Sequence, residues 1–263
     1  MRPKKSLGQN FLVDDSSLRR VVEAAEISVG EVVLEIGAGL GGLTRYLATA
    51  AGRVIAVELD NKLIPPLREV LANFKNVEII HGDILDINPN QLFSNLQLPK
   101  SKYCVVANIP YYITSAIIRH LLEAEIKPQR IVLTVQQEVA IRICAEPGKL
   151  SLLALSVQVF GEPKVVAKIP AGAFYPAPKV DSALVRIELF PEPLIPQTKI
   201  PDFFALAKAG FGQKRKTLRN SLSSGMAWPK EKAVQILENA NIDPQRRAET
   251  LTIEEWHALV NHR

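Results

Sequence analysis

Asn108-Ile109-Pro110-Tyr111 brings a carboxamide, a proline-fixed turn and an aromatic ring together in four consecutive residues. It follows Tyr103-Cys104-Val105-Val106-Ala107, an apolar run that reads as a buried strand entering a loop. An amide oxygen and a ring at the end of a strand can hold a flat nucleobase by its exocyclic amine. Asn-X-Pro loops are also common turns, so the tetrapeptide alone is a weak signal. A second set lies upstream, in Glu35-Ile36-Gly37-Ala38-Gly39-Leu40-Gly41-Gly42-Leu43-Thr44. Gly37, Gly39 and Gly42 fit G-x-G-x-x-G at a strand-to-helix junction, where glycines let the backbone turn tightly against a ligand. Glu58 follows about 20 residues later, at the end of the next strand, where a carboxylate can accept both hydroxyls of a ribose.

Those features suit an NAD-binding domain as well as any other nucleoside cofactor, and a bare glycine turn is the plain structural alternative. Two further residues shift the balance. Glu35 gives the form E-x-G-x-G-x-G, seen in S-adenosylmethionine-dependent methyltransferases, and Asp83 closes the third strand, where it can accept a hydrogen bond from an adenine amine. Acids at the ends of consecutive parallel strands share one crevice, the usual ligand site of open α/β sheets.

The elements that must position these residues alternate along the chain. Strand-like runs at 32–36, 53–58, 77–80, 103–107 and 131–135 are separated by helical stretches at 42–51, 63–73, 115–124 and 137–145, after an amphipathic helix at 18–25 capped by Ser16 or Ser17. Pro65 and Pro66 belong in the first turn of their helix, where a missing N–H costs least. Continuous apolar strands alternating with helices predict a parallel sheet covered on both faces. Runs at 165–169 and 183–187 have no helix between them and fit an antiparallel hairpin at the sheet edge. Pro191, Pro193, Pro196 and Pro201 then interrupt both periodicities, and four helical stretches follow. The division expected is 1–192 for the α/β domain and 193–263 for a small all-helical one.

Composition narrows the class. With 263 residues and 47% hydrophobic content, the chain can bury a large core, yet no apolar run is long enough to span a bilayer. Cys104 and Cys144 sit among apolar residues, which suits reduced thiols in a cytoplasmic protein, and the four histidines lack metal-ligand spacing, so no metal is expected. Residues 199–263 hold 11 Lys/Arg against 7 Asp/Glu, while the remainder is near balance at 21 against 20. Lys214-Arg215-Lys216 with Arg219, and Arg246-Arg247, form the densest clusters. They suit a phosphate backbone, or else a solvated helix face.

Five segments in order resemble the ribosomal RNA adenine N6,N6-dimethyltransferases of the KsgA (RsmA) type. They are Lys4-Lys5-Ser6-Leu7-Gly8-Gln9-Asn10-Phe11-Leu12, the glycine motif, Asn108-Ile109-Pro110-Tyr111, Phe174-Tyr175-Pro176-Ala177-Pro178-Lys179-Val180-Asp181-Ser182, and Gly210-Phe211-Gly212-Gln213-Lys214-Arg215-Lys216-Thr217-Leu218. The set is specific although each alone is not; Ala177 stands where proline is frequent.

The resemblance implies a Rossmann-like methyltransferase sheet with a C-terminal helical domain, S-adenosylmethionine as methyl donor, and a monomer acting on small-subunit rRNA in the 30S particle. It implies that Asn10, Leu12, Gly37, Glu58, Asp83 and Asn108 bind the cofactor. Asn108, Ile109, Pro110, Tyr111 and Phe174 would form the catalytic pocket, with Tyr111 and Phe174 stacking on the base. Three rivals stay open: an Erm-type enzyme acting on large-subunit rRNA, a ribosome-assembly or transcription factor keeping the fold as an RNA-binding module, and an NAD-dependent oxidoreductase.

Overall fold

The computed structural model describes residues 3–4, 7–96 and 103–263. The chain separates into two compact units, one of residues 1–140 and 163–189, the other of residues 141–162 and 190–263. In chain order the first unit holds β1 (Phe11–Leu12), α1 (Asp15–Ala25), β2 (Val32–Ile36), α2 (Gly42–Ala50), β3 (Arg53–Glu58), α3 (Ile64–Val70), β4 (Val77–His81) and α4 (Pro89–Asn95). It continues with β5 (Tyr103–Asn108), α5 (Thr114–Glu123) and β6 (Arg130–Gln136). Helix α6 (Gln137–Ile143) leads into the second unit and α7 (Leu152–Gln158) belongs to it. Strand β7 (Gly161–Ile169) brings the chain back, and β8 (Phe174–Tyr175) and β9 (Ser182–Leu189) complete the sheets.

One seven-stranded sheet runs β4-β3-β2-β5-β6-β9-β7, parallel from β4 to β6, with β9 antiparallel to β6. Strand β2 is buried along its length and β5 is buried up to Asn108, which is why both read as unbroken apolar runs instead of alternating ones. The sequence order reverses between β2 and β5: the chain builds outward through β3 and β4, then returns to place β5 on the other side of β2. That reversal opens a crevice at the carboxyl ends of the two strands. Since Ile36 pairs with Ala107, the glycine loop and Asn108 leave the sheet side by side.

The two edge strands expected as a hairpin are hydrogen-bonded neighbours, with β9 inserted between β6 and β7. Other expectations need adjustment. Asp14, not Ser16 or Ser17, caps α1: its carboxylate accepts from the Ser17 N–H and from both serine hydroxyls. Helix α7 lies in a run too uniformly apolar to show a helical period, and α4 is short and opens on Pro89. Pro65 and Pro66 do sit in the first turn of α3.

In the second unit, α8 (Ile200–Phe211), α9 (Leu218–Gly225), α10 (Lys230–Asn239) and α11 (Ile253–Asn261) pack around Trp256, which is fully buried. Phe203 meets its ring edge-on at 6.4 Å and Phe211 stacks on it at 5.9 Å. Gly210 is needed there, because a Cβ would lie 2.7 Å from the indole. The proline-rich stretch is not a free linker: Phe190 and Leu194 donate to the carbonyls of Phe160 and Val159, and Ile195 is buried. The unit therefore includes residues 141–162 as well as the expected C-terminal helices.

Candidate active site

The polar residues of the crevice come from the carboxyl-end portions of β2, β3 and β5, from the loops that follow β2, β4 and β5, and from the N-terminal segment around Asn10. Gly37, Gly39 and Gly41 all have positive φ, at 79°, 60° and 80°, so the turn after β2 can be made only with glycine at little cost. A Cβ on Gly37 would approach the Asn108 carbonyl oxygen to 3.4 Å, and one on Gly39 would approach the Phe11 ring to 3.1 Å. Glycine therefore keeps this floor open.

Glu58, at the end of β3, is buried, and each carboxylate oxygen already accepts a backbone N–H: Oε2 from Gly39 at 2.7 Å and Oε1 from Asp60 at 2.7 Å. Those bonds fix the carboxylate while leaving further lone pairs for a ligand. Asp83 accepts from the Leu85 N–H with Oδ1, which leaves Oδ2 available. Glu35 is buried, and burial pushes its carboxyl up to about 8; the Thr44 hydroxyl opposes that shift and the Glu58 charge adds to it. Even so, neither Glu35 Oε2 nor Thr44 Oγ1 has a partner of hydrogen-bonding geometry among the described residues.

Asn108 ends β5. Its Nδ2 donates to the Asn10 carbonyl at 3.1 Å across 98 residues of sequence, so Oδ1 is the atom left to accept. Tyr111 is held from behind: its hydroxyl bonds the buried Ser182 hydroxyl at 2.6 Å, fixing the ring, and burial raises its pKa. Both Asn108 and Tyr111 line a cavity of about 810 Å³ counted to its open mouth, together with Asn10, Gly37, Glu58, Asp83, Ile109 and Pro110. A second hollow shares Gly37 and Asn108 and adds Leu12 and Glu35.

Phe174 is the exception. Strand β8 pairs with β1 so that Leu12 faces Phe174 and Phe11 faces Tyr175. Side chains alternate along a strand, so Phe174 turns inward, to 4% exposure, and Tyr175 turns out, to 61%. The ring expected to stack on a base is packed in the core beside Leu12 and Leu18.

The basic residues also divide. Lys214, Arg215 and Lys216 are exposed on the turn between α8 and α9, and Arg247 is exposed. Arg246 corrects the expectation of a free phosphate contact: its guanidinium grips Glu255 and donates to the Thr250 carbonyl. Arg219 is half-buried, with its Nε shielded from solvent. Sequence reading missed Lys4, Gln9, Asp60 and Ser182 as site-building residues. Asp60 had a signal, since it stands two residues after Glu58. Among the described residues no cluster of His, Cys, Asp and Glu fits a metal, and no helix is long and apolar enough to cross a membrane.

A glycine loop, strand-end acids and an amide at the switch point of this seven-stranded sheet define a Rossmann-like methyltransferase. The family model for ribosomal RNA adenine dimethylase matches residues 1–260. A ribosomal RNA small subunit methyltransferase A from Dehalococcoides mccartyi is 47% identical, over 98% of this chain and 88% of that protein. Another of that name, from Alkaliphilus metalliredigens, is 42% identical over 98% and 91%. Among solved structures, a dimethyladenosine transferase from Plasmodium falciparum superposes with a TM-score of 0.79 at 25% identity, covering 95% of each chain. The 23S rRNA methyltransferase ErmE gives 0.75 at 30% identity, covering 96% of this chain and 99% of that one. The chain belongs to the ribosomal RNA adenine dimethylase family and is an enzyme, an rRNA adenine methyltransferase.

Proposed function

We propose that this enzyme converts two adjacent adenosines near the 3′ end of small-subunit rRNA to N6,N6-dimethyladenosine, using S-adenosylmethionine. It would act as a monomer, in the cytoplasm, on RNA carried in the 30S particle, with a role in that particle's biogenesis. The observation that carries the reading is the bond from Asn108 Nδ2 to the Asn10 carbonyl, which leaves Oδ1 as an acceptor beside the glycine floor.

S-adenosylmethionine fits the residues present. The cradle turns through Gly37, Gly39 and Gly41 at positive φ and carries no side chain there, and a Cβ on Gly39 would crowd it against the Phe11 ring. Glu35 Oε2 is a buried carboxyl oxygen with no hydrogen-bond partner among the described residues. Glu58 would hold the ribose and Asp83 the adenine amine, with Gly37, Asn10, Leu12 and Asn108 around the methionine end. When bound, the cofactor supplies a methyl group on a sulfonium, a strong electrophile. The chain's own task is the nucleophile. An adenine amine is poorly nucleophilic because its lone pair is delocalised into the ring. Hydrogen bonds from that amine to Asn108 Oδ1 and to the Ile109 carbonyl, which has no donor among the described residues, favour a pyramidal nitrogen and stabilise the positive charge that develops on it. Proton loss then passes to water, and no general base is needed. Tyr111, fixed by Ser182, offers a ring against the base. The base must leave its stack to enter. Phe174 can join Tyr111 only if the β1–β8 pair shifts on RNA binding.

Residues 1–192 would serve catalysis and 193–263 RNA binding, through Lys214, Arg215, Lys216, Arg219 and Arg247. Purified small and large ribosomal subunits, each incubated with S-adenosylmethionine and digested to nucleosides, test the choice of substrate. N6,N6-dimethyladenosine should appear in the small subunit; its appearance in the large subunit alone would reassign the enzyme to the Erm type, whose representative is a structural neighbour.

A further inference from the structure

We infer that Asp60 is a positioning residue for methyl transfer: it tethers the N-terminal segment whose Asn10 carbonyl sets the orientation of the Asn108 carboxamide. Asp60 is 4% exposed, yet it lies outside the set of residues that would touch cofactor or base. Its Oδ1 accepts from Lys4 Nζ at 2.6 Å and from the Lys62 N–H at 3.1 Å, and its Oδ2 accepts from Gln9 Nε2 at 3.2 Å. Gln9 is tied in turn to Lys4, whose backbone N–H donates to Gln9 Oε1 at 2.8 Å. The Lys4 carbonyl accepts from the Leu7 and Gln9 N–H groups. Next in sequence stands Asn10, with its own side chain donating to the Gly8 carbonyl and its carbonyl receiving Asn108 Nδ2. Each bond from Asp60 to Asn108 is thus specified by named atoms.

A primary amide has two nearly isosteric ends, and only the oxygen can accept from the target amine. Asn10 resolves that ambiguity by presenting a carbonyl, which only the NH₂ end can satisfy. The tether matters because residues 7–10 lie in no α-helix or strand, and Leu7, Gly8 and Gln9 line the cavity instead of a core. A buried carboxylate receiving an ammonium and an amide is a charge-assisted anchor, stronger than neutral hydrogen bonds. Asp60 is also joined to the cofactor side of the crevice, since its N–H donates to Glu58. That backbone link survives substitution of the side chain.

This inference rests on the reading of Asn108 as the acceptor of the target amine, and two readouts separate the two. The variants are Asp60→Asn, which removes the charge but keeps the volume, and Lys4→Met, which removes the ammonium from a half-exposed position where folding is not at stake. Hydrogen exchange of the Leu7 and Gln9 amides in the free protein requires no substrate and reads the tether directly. Both variants should exchange these amides faster than wild type. Single-turnover methylation, with RNA bound beforehand and S-adenosylmethionine saturating, should slow by roughly ten- to a hundredfold, as expected of a misplaced reacting group. RNA affinity should stay within about twofold, because phosphate contacts supply most of it. The double variant should be little slower than either single one, since both break one interaction. Faster exchange with an unchanged single-turnover rate would overturn the positioning role, and unchanged exchange in both variants would overturn the tether. If Asn108→Ala itself retains its rate, the reading of the site falls, whatever the exchange data give.

Discussion

In the crevice of the first unit, Glu58, Asp60, Asn108 and Tyr111 each have a polar atom assigned to a named neighbour at 2.6–3.2 Å. In the second unit, Lys214, Arg215 and Lys216 stand exposed on a turn, with no carboxylate in ion-pair reach among the described residues, while Arg246 is locked onto Glu255. The contrast separates two ways of using polar groups. On the proposed reading, methyl transfer would require one amide oxygen to be in place before the base arrives, a demand that side chains fixed by burial and by bonds to the backbone would meet. Attraction to a phosphate chain requires only net charge near the surface, and a mobile lysine serves as well as a fixed one.

Substitutions on the two sides should therefore produce opposite signatures. Glu58→Ala should weaken S-adenosylmethionine binding by roughly ten- to a hundredfold, the worth of charged hydrogen bonds to ribose hydroxyls, and leave RNA affinity alone. Calorimetry on the folded variant checks this, and unchanged affinity would remove Glu58 from the cofactor site. Replacing Lys214, Arg215 and Lys216 together with Ala should do the reverse. Cofactor affinity should hold, while the log–log salt slope of RNA binding falls by about one unit or somewhat less for each phosphate that the variant no longer neutralises. An unaltered slope would make the turn a solvated surface only.

The smallest effect separates the units by pH. Glu35 has a folded-state pKa near 8 against an ordinary value of 4.5, so the native state holds a proton that the unfolded chain releases. Its contribution to stability is intact below about pH 4.5 and is lost as pH rises toward 8. Glu255 runs the other way: its hydrogen bond with Arg246 lowers its pKa, so its contribution is present above pH 4.5 and lost on acidification. Glu35→Gln should flatten the fall in melting temperature between pH 5 and 8 without altering the acid limb. A fall as steep as in wild type would show that Glu35 is charged in the folded protein.

Much of this was legible in the sequence. Strands β2, β3, β5 and β6 announced themselves as β-branched apolar runs, because burial on both faces leaves little room for anything else, while the half-exposed β4 and the largely exposed β7 showed only short apolar stretches. Gly37, Glu58, Asp83 and Asn108 followed from their places at strand ends, and the crevice brings all four together. What stayed hidden depended on pairing across long separations. Nothing near Phe174 reveals that β8 pairs with β1, so its inward turn could not be read from an alternation two residues long. Arg246 looked like half of a basic pair, because its partner Glu255 lies beyond a loop. Lys4 and Gln9 meet Asp60 across more than 50 residues, and local patterns carry no trace of such pairings.

The most direct test places the two regions against each other in one variant. Asn108→Ala, assayed in single turnover at saturating S-adenosylmethionine with RNA already bound, should lose about a hundred- to a thousandfold in rate, the usual cost of removing one preorganised group from a transition state. Its RNA affinity should remain close to that of wild type, because the groups proposed to meet phosphate are untouched. A folded Asn108→Ala enzyme that methylates at near-normal rate would contradict the assignment, and Asn108-Ile109-Pro110-Tyr111 would be a turn at the end of a strand and nothing more.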